Sequence, residues 1–212
     1  MSFYQDLNTF LKQVGNPYHK PEKAGPLADE TRTIRSQGQV ARAAFTKLAK
    51  ALTDEMASYQ IQRVSLWASQ AQVLRPHFWC YFLGEGDQLN RPLFAIRLYG
   101  KTDHFGVSCE LSYIERHKDE QTQHYQAKAL DIPLRAPLYY WAQDTVTKES
   151  QRYEATESSR DFLKEQLKKG NFRKVLIKYD VPMTSEQTLS DLVGLLKKGF
   201  LLLSPYYDAT KN

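Results

Sequence analysis

The sequence predicts an α+β fold, a mostly antiparallel central sheet of about four to six strands packed by helices from both chain ends. Three observations predict it. Apolar residues recur at helical spacing toward both ends of the chain, and between them the period switches to alternation. The alternating stretches are joined by short polar connections containing glycine, which suit hairpins better than crossover helices. Hydrophobic residues make up 42% and charged residues 25%, an ordinary globular balance rather than that of a disordered chain. One domain is expected over residues 1–212, with helices and a loop over 1–59, central strands over 60–115 and a mixed part over 116–212.

The elements follow in order. Phe3, Leu7, Phe10, Leu11 and Val14 share one helical face, Ser2 can cap its start, and Gly15-Asn16-Pro17 ends it. Residues 16–36 hold Pro17, Pro21, Gly25 and Pro26 and read as a long loop. A second helix is expected over 38–59, with a stripe of Val40, Ala44, Leu48, Leu52 and Met56. Strands are expected over Arg63–Ala68, His77–Leu83, Leu93–Tyr99 and Val107–Ile114. His77–Leu83 is apolar on both faces and reads as central; Gly84-Glu85-Gly86-Asp87 breaks it. Residues 116–130 read as a polar helix, and Asp131–Trp141 as irregular with a short strand. Ser159–Lys169 reads as a helix, Lys174–Tyr179 as a short strand. Thr184–Gly199 closes as a helix behind the capping pair Thr184 and Gln187.

No run approaches the roughly 20 apolar residues of a membrane span. The first residues lack the basic and apolar stretches of a signal peptide, so the expected compartment is the cytoplasm and no membrane role is expected. Cys80 and Cys109 sit in apolar, strand-like contexts and read as buried thiols. Phosphate-cradling glycine motifs, zinc-ligand spacings and a nucleophile elbow are all missing, so no catalytic residue, metal or cofactor is assigned. Asp103 and Glu110 flank a strand, but no lysine follows Glu110 closely as in many metal-dependent nucleases; an enzyme would need those two and a histidine to converge.

What remains is basic and aromatic. Net charge is +5 and the pI about 9.0, compatible with phosphate backbones without being diagnostic of them. Arg75, Arg91, Arg97, Lys101 and Arg116 border the central strands, and Trp67, Trp79, Tyr81 and Tyr99 lie within them. These residue types suit a pocket for a base lifted from a duplex, with cations outside it, and they equally suit an aromatic core.

The string Trp79-Cys80-Tyr81-Phe82-Leu83-Gly84-Glu85-Gly86 resembles a segment of the N-terminal DNA-recognition domain of McrB-like proteins, which serve methylation-dependent restriction. The likeness runs over about residues 60–115, and more weakly over 174–200 through Lys178-Tyr179-Asp180, Thr184-Ser185-Glu186 and Leu189-x-Asp191-Leu192. It implies a non-enzymatic module that reads a flipped base in double-stranded DNA, methylated or plain, with motor and nuclease on other chains. It assigns Trp79 and Leu98 to the base pocket, with Tyr81 beside them. The family's pocket tyrosine has no counterpart: Ala68-Ser69 stand near its place, and Trp67 becomes the candidate wall. Arg75, Arg91, Arg97 and Lys101 become candidate phosphate contacts. Pro76-His77-Phe78 and the closing Leu203-Ser204-Pro205-Tyr206-Tyr207 are also similar to the bacterial YktB proteins, which imply no activity. The alternative from composition alone is a protein-interaction or accessory domain with no nucleic-acid role.

Overall fold

The computed structural model describes residues 2–68, 73–75 and 77–211; Ser69 and Pro76, which enter the resemblances above, lie outside the described residues. The strands are β1 (Tyr59–Ile61), β2 (Trp79–Gly84), β3 (Leu93–Lys101), β4 (His104–Ser112), β5 (Tyr139–Asp144), β6 (Ser150–Tyr153) and β7 (Phe172–Pro182). They form one sheet in the order β1-β2-β3-β4-β7-β5-β6, and every neighbouring pair is antiparallel. Seven strands thus replace the expected four to six. A strand that was not expected is β6 (Ser-Gln-Arg-Tyr), a polar edge strand without an apolar alternation that pairs with β5. The meander of β2 to β4 agrees with the short connections. The last strand, β7, then enters between β4 and β5, a placement that no local pattern encodes.

Among the described residues, five α-helices accompany the sheet: α1 (Phe3–Leu11), α2 (Ala28–Asp54), α3 (Glu120–Lys128), α4 (Glu157–Lys168) and α5 (Leu189–Ala209). Leu7 and Phe10 of α1, Phe45 and Leu48 of α2, Leu163 of α4 and Leu196, Phe200 and Leu203 of α5 are fully or almost fully buried. They join Phe82, Ile96, Val107, Cys109 and Ile177 of the sheet in one core. Gly199 lets α5 lie close to the sheet, since a Cβ there would meet Tyr179 at 2.6 Å and the Cys109 Sγ at 2.7 Å. The core therefore fills one face of the sheet and leaves the other for different work.

Several boundaries move for physical reasons. α2 starts ten residues before its expected start because nothing after Pro26 breaks it, and Asp29 and Glu30 favour its first turn. Its buried stripe is Ile34, Gly38, Ala41, Phe45, Leu48 and Leu52, whereas Val40 is 45% exposed. A strict spacing of four rotates off a 3.6-residue helix, so the expected stripe drifts to the surface. Residues 63–68 are irregular rather than a strand: the Arg42 guanidinium donates to the Val64 and Ser65 carbonyls, and Leu66 is 52% exposed. α5 begins one turn later than expected, capped by Thr188 and Asp191 reciprocally, and continues through Pro205 to Ala209. The carbonyl that Pro205 deprives of its donor belongs to Leu201, an exposed residue, so water can satisfy it.

Candidate functional site on the open face of the sheet

Side chains alternate across a strand, so each strand that feeds the helix-side core also lines the opposite face. Trp79 and Tyr81 of β2, Arg97 and Tyr99 of β3, and Ser108 and Glu110 of β4 line that face. So do Lys174, Lys178 and Asp180 of β7, Tyr139, Trp141 and Gln143 of β5, and Arg152 of β6. Two connected hollows of about 610 and 640 Å³ run across it, sharing His77, Arg97, Gln143 and Lys174. Eight arginine and lysine side chains line them against three carboxylates, Glu110, Glu115 and Asp180.

The floor is a buried ion cluster. Glu110 is fully buried; the Arg97 Nε donates to both its oxygens at 3.0 Å, the Lys178 Nζ lies 3.0 Å away, and the Ser108 hydroxyl donates at 3.1 Å. Burial opposes charge on Glu110, yet Arg97 and Lys178 outweigh it and hold the carboxyl at about 2. Burial likewise works against charge on Arg97, and Glu110 and Tyr81 overcome it, raising its pKa. One row along, the Tyr139 hydroxyl donates to both Asp180 oxygens at 2.9 Å, and burial pushes the Asp180 carboxyl above its ordinary range. Burial and the neighbouring Arg97 lower His77 to about 4, so its ring is neutral near neutral pH. Burial also lowers the pKa of Lys174, which is paired with Glu115 at 3.2 Å.

Trp79 stands at one side of this floor. Its ring is partly exposed and packs on a small separate cluster of Tyr81, Leu93, Ala95 and Ile114, not in the helix-side core. Guanidinium carbons flank it, Arg75 at 5.0 Å and Arg97 at 5.4 Å from the ring centroid, and the His77 ring is 5.6 Å away. On the far side, Trp141 sits under the Lys178 ammonium at 5.1 Å and Tyr139 under the Arg152 guanidinium at 3.9 Å. Tyr99 packs against Gly106, where a Cβ would meet its hydroxyl at 2.5 Å and the Val181 carbonyl at 2.3 Å.

Of the residues expected to form a base pocket, Trp79 and Tyr81 come together, although the Tyr81 hydroxyl is spent on the Tyr113 carbonyl at 2.9 Å. Leu98 does not join them. It borders the hollow by position, but its side chain is fully buried in the helix-side core, in antiphase with Arg97 and Tyr99. Trp67 does not join them either: its ring packs on Gly38 and meets Tyr18 edge-on at 4.6 Å. Of the expected phosphate contacts, Arg75 and Arg97 lie in the hollows. Arg91 and Lys101 flank opposite ends of β3, about 30 Å apart at strand rise. Arg91 stacks on Tyr125 at 3.5 Å, and Lys101 pairs in register with His104 at the hairpin. Asp103 is held by Asn8 at 2.7 Å, away from Glu110 and His77, so the three do not converge. Sequence reasoning missed Tyr139, Trp141, Arg152, Lys174, Lys178 and Asp180. The available signal was the polar alternation through β7, Lys174, Lys178 and Asp180 against Val175, Ile177 and Val181.

Among the described residues no group of three or more His, Cys, Asp or Glu is placed to hold a metal ion, and no helix is long and apolar enough to cross a membrane. No protein-family model and no curated protein matches the chain.

Proposed function

We propose that the chain is a non-enzymatic DNA-binding module that reads a base lifted from a duplex on the open face of its sheet. The observation that carries this reading is Trp79: a partly exposed residue near two guanidinium groups, beside a concave face where cations outnumber carboxylates. A displaced base needs a flat apolar partner, and stacking of this kind contributes on the order of 1–3 kcal/mol per base. Arg75 and the exposed Arg63 and Arg116 at the rim are placed to meet phosphates. Glu110 fixes Arg97 and Lys178 in position before any ligand arrives, so little side-chain ordering remains to be done on binding. The resemblance of Trp79–Gly86 to McrB-like recognition domains points the same way. A fully enclosed Trp79 ring would favour the alternative, a protein-interaction or accessory domain with no nucleic-acid role; the residue is partly exposed.

The test is equilibrium binding of short duplexes with a plain or methylated central cytosine, at two salt concentrations. Binding to at least one duplex that weakens steeply with salt is expected. No binding to either at low salt refutes the proposal.

A further inference from the structure

A second basic concavity lies outside the open face. It is a cleft of about 720 Å³ between α3, α4, the β5–β6 turn and the start of β7. Lys118, Lys128, Lys148, Lys164, Lys168 and Arg173 border it, and Asp131 is the one carboxylate among the described residues that line it. Asp131 is already taken by Lys164 at 2.8 Å. Lys164 and Lys168 are four residues apart on α4 and share one face, where like charges repel. A face serving only solubility would intersperse the two signs.

The whole-chain charge conceals this segregation. The open-face hollows and the cleft together hold thirteen of the 29 lysines and arginines but only four of the 24 acidic residues. The rest of the chain carries 16 cations and 20 carboxylates, so its net sign is negative. Arg173 lines both the cleft and the Trp79 hollow, held between Gln143 at 2.7 Å and Glu115 at 2.6 Å. The positive surface therefore continues from one concavity into the other.

We infer that the cleft is a phosphate-backbone track that receives the duplex flank next to the base read at Trp79; this rests on the DNA-binding reading above. Each phosphate neutralised there releases counterions, so the cleft contributes to the salt dependence of binding and carries no base preference.

The test compares salt slopes for a labelled duplex with one central mismatch, which lowers the cost of lifting a base. The cleft variant is Lys118→Gln/Lys148→Gln/Lys168→Gln; all three lysines are exposed, so folding is expected to survive, as circular dichroism checks. The control, Lys12→Gln/Lys20→Gln/Lys23→Gln, removes the same charge from exposed lysines elsewhere. Between about 50 and 200 mM salt, the slope of log affinity against log salt is expected to flatten by about 2–3 in the cleft variant and by less than about 1 in the control. Equal flattening in both variants, or none in the cleft variant, overturns the inference while leaving the Trp79 reading standing. Wild-type protein that fails to bind the duplex at low salt overturns that reading and this inference with it.

Discussion

Replacing Glu110 by Gln removes the one charge that holds Arg97 and Lys178 together on the sheet floor. Two routes give the size of the effect. The carboxyl moves from an ordinary value near 4.5 to about 2, a difference that corresponds to about 3 kcal/mol. Breaking a buried ion pair by removing one partner costs about 3–5 kcal/mol, because the other charge is left uncompensated. For a chain of this length a loss of about 3–5 kcal/mol lowers Tm by about 6–20 °C. The direction with pH follows from linkage. The folded pKa lies below the unfolded one, so the stabilisation is fully present above pH 4.5 and is lost as pH falls toward 2. Urea denaturation of wild type and Glu110→Gln across that range reads both parts. A large gap near neutral pH that closes on acidification is expected. A gap below about 1 kcal/mol near neutral pH, or one that stays constant through the acid range, refutes the reasoning.

Other outcomes follow from the same contacts. His77 is lowered from 6.5 to about 4, so the unfolded chain takes up a proton first and stability falls as pH drops through that window; His77→Gln removes that part of the profile in the same urea assay. Gly106→Ala drives a Cβ against the Val181 carbonyl and the Tyr99 ring, and is expected to destabilise by about 1–3 kcal/mol in calorimetry. Burial pushes the Cys80 thiol up to about 12 and raises Cys109 well above its usual range, so both stay unreactive toward iodoacetamide until the chain is denatured. Leu98→Ala costs about 2–5 kcal/mol of stability yet leaves the affinity of the folded fraction for DNA within about twofold, because its side chain faces the helices.

The meander and the terminal helices were legible in the sequence because their signals are local: a period of two from Leu93 to Ile114, helical spacing in α1, and glycine at the turns. The insertion of β7 beside β4 was not, since its partners lie some 70 residues upstream in the chain. The site was half legible for the same reason. Trp79, Arg75 and Arg97 stood out as aromatic and basic residues on neighbouring segments. Lys178 fell in an expected short strand and Asp180 just past its end, and the partner strand that makes them central cannot be recognised from their own neighbourhood. The error at Leu98 was one of phase, since a shift of one residue along β3 exchanges the hollow for the core. Trp67 was misplaced because it follows β1 in the chain, whereas Gly38, in the middle of α2, creates the slot that captures its ring.

In the proposed function, Trp79 is the surface on which a base stacks. The most direct measurement is the affinity of a centrally mismatched duplex for wild type, Trp79→Ala and Trp67→Ala, each confirmed folded by circular dichroism. Trp79→Ala is predicted to weaken binding by about 5- to 150-fold, matching about 1–3 kcal/mol of lost stacking, while Trp67→Ala, on the helix side, leaves affinity essentially unchanged. Equal affinity for wild type and Trp79→Ala would contradict the account.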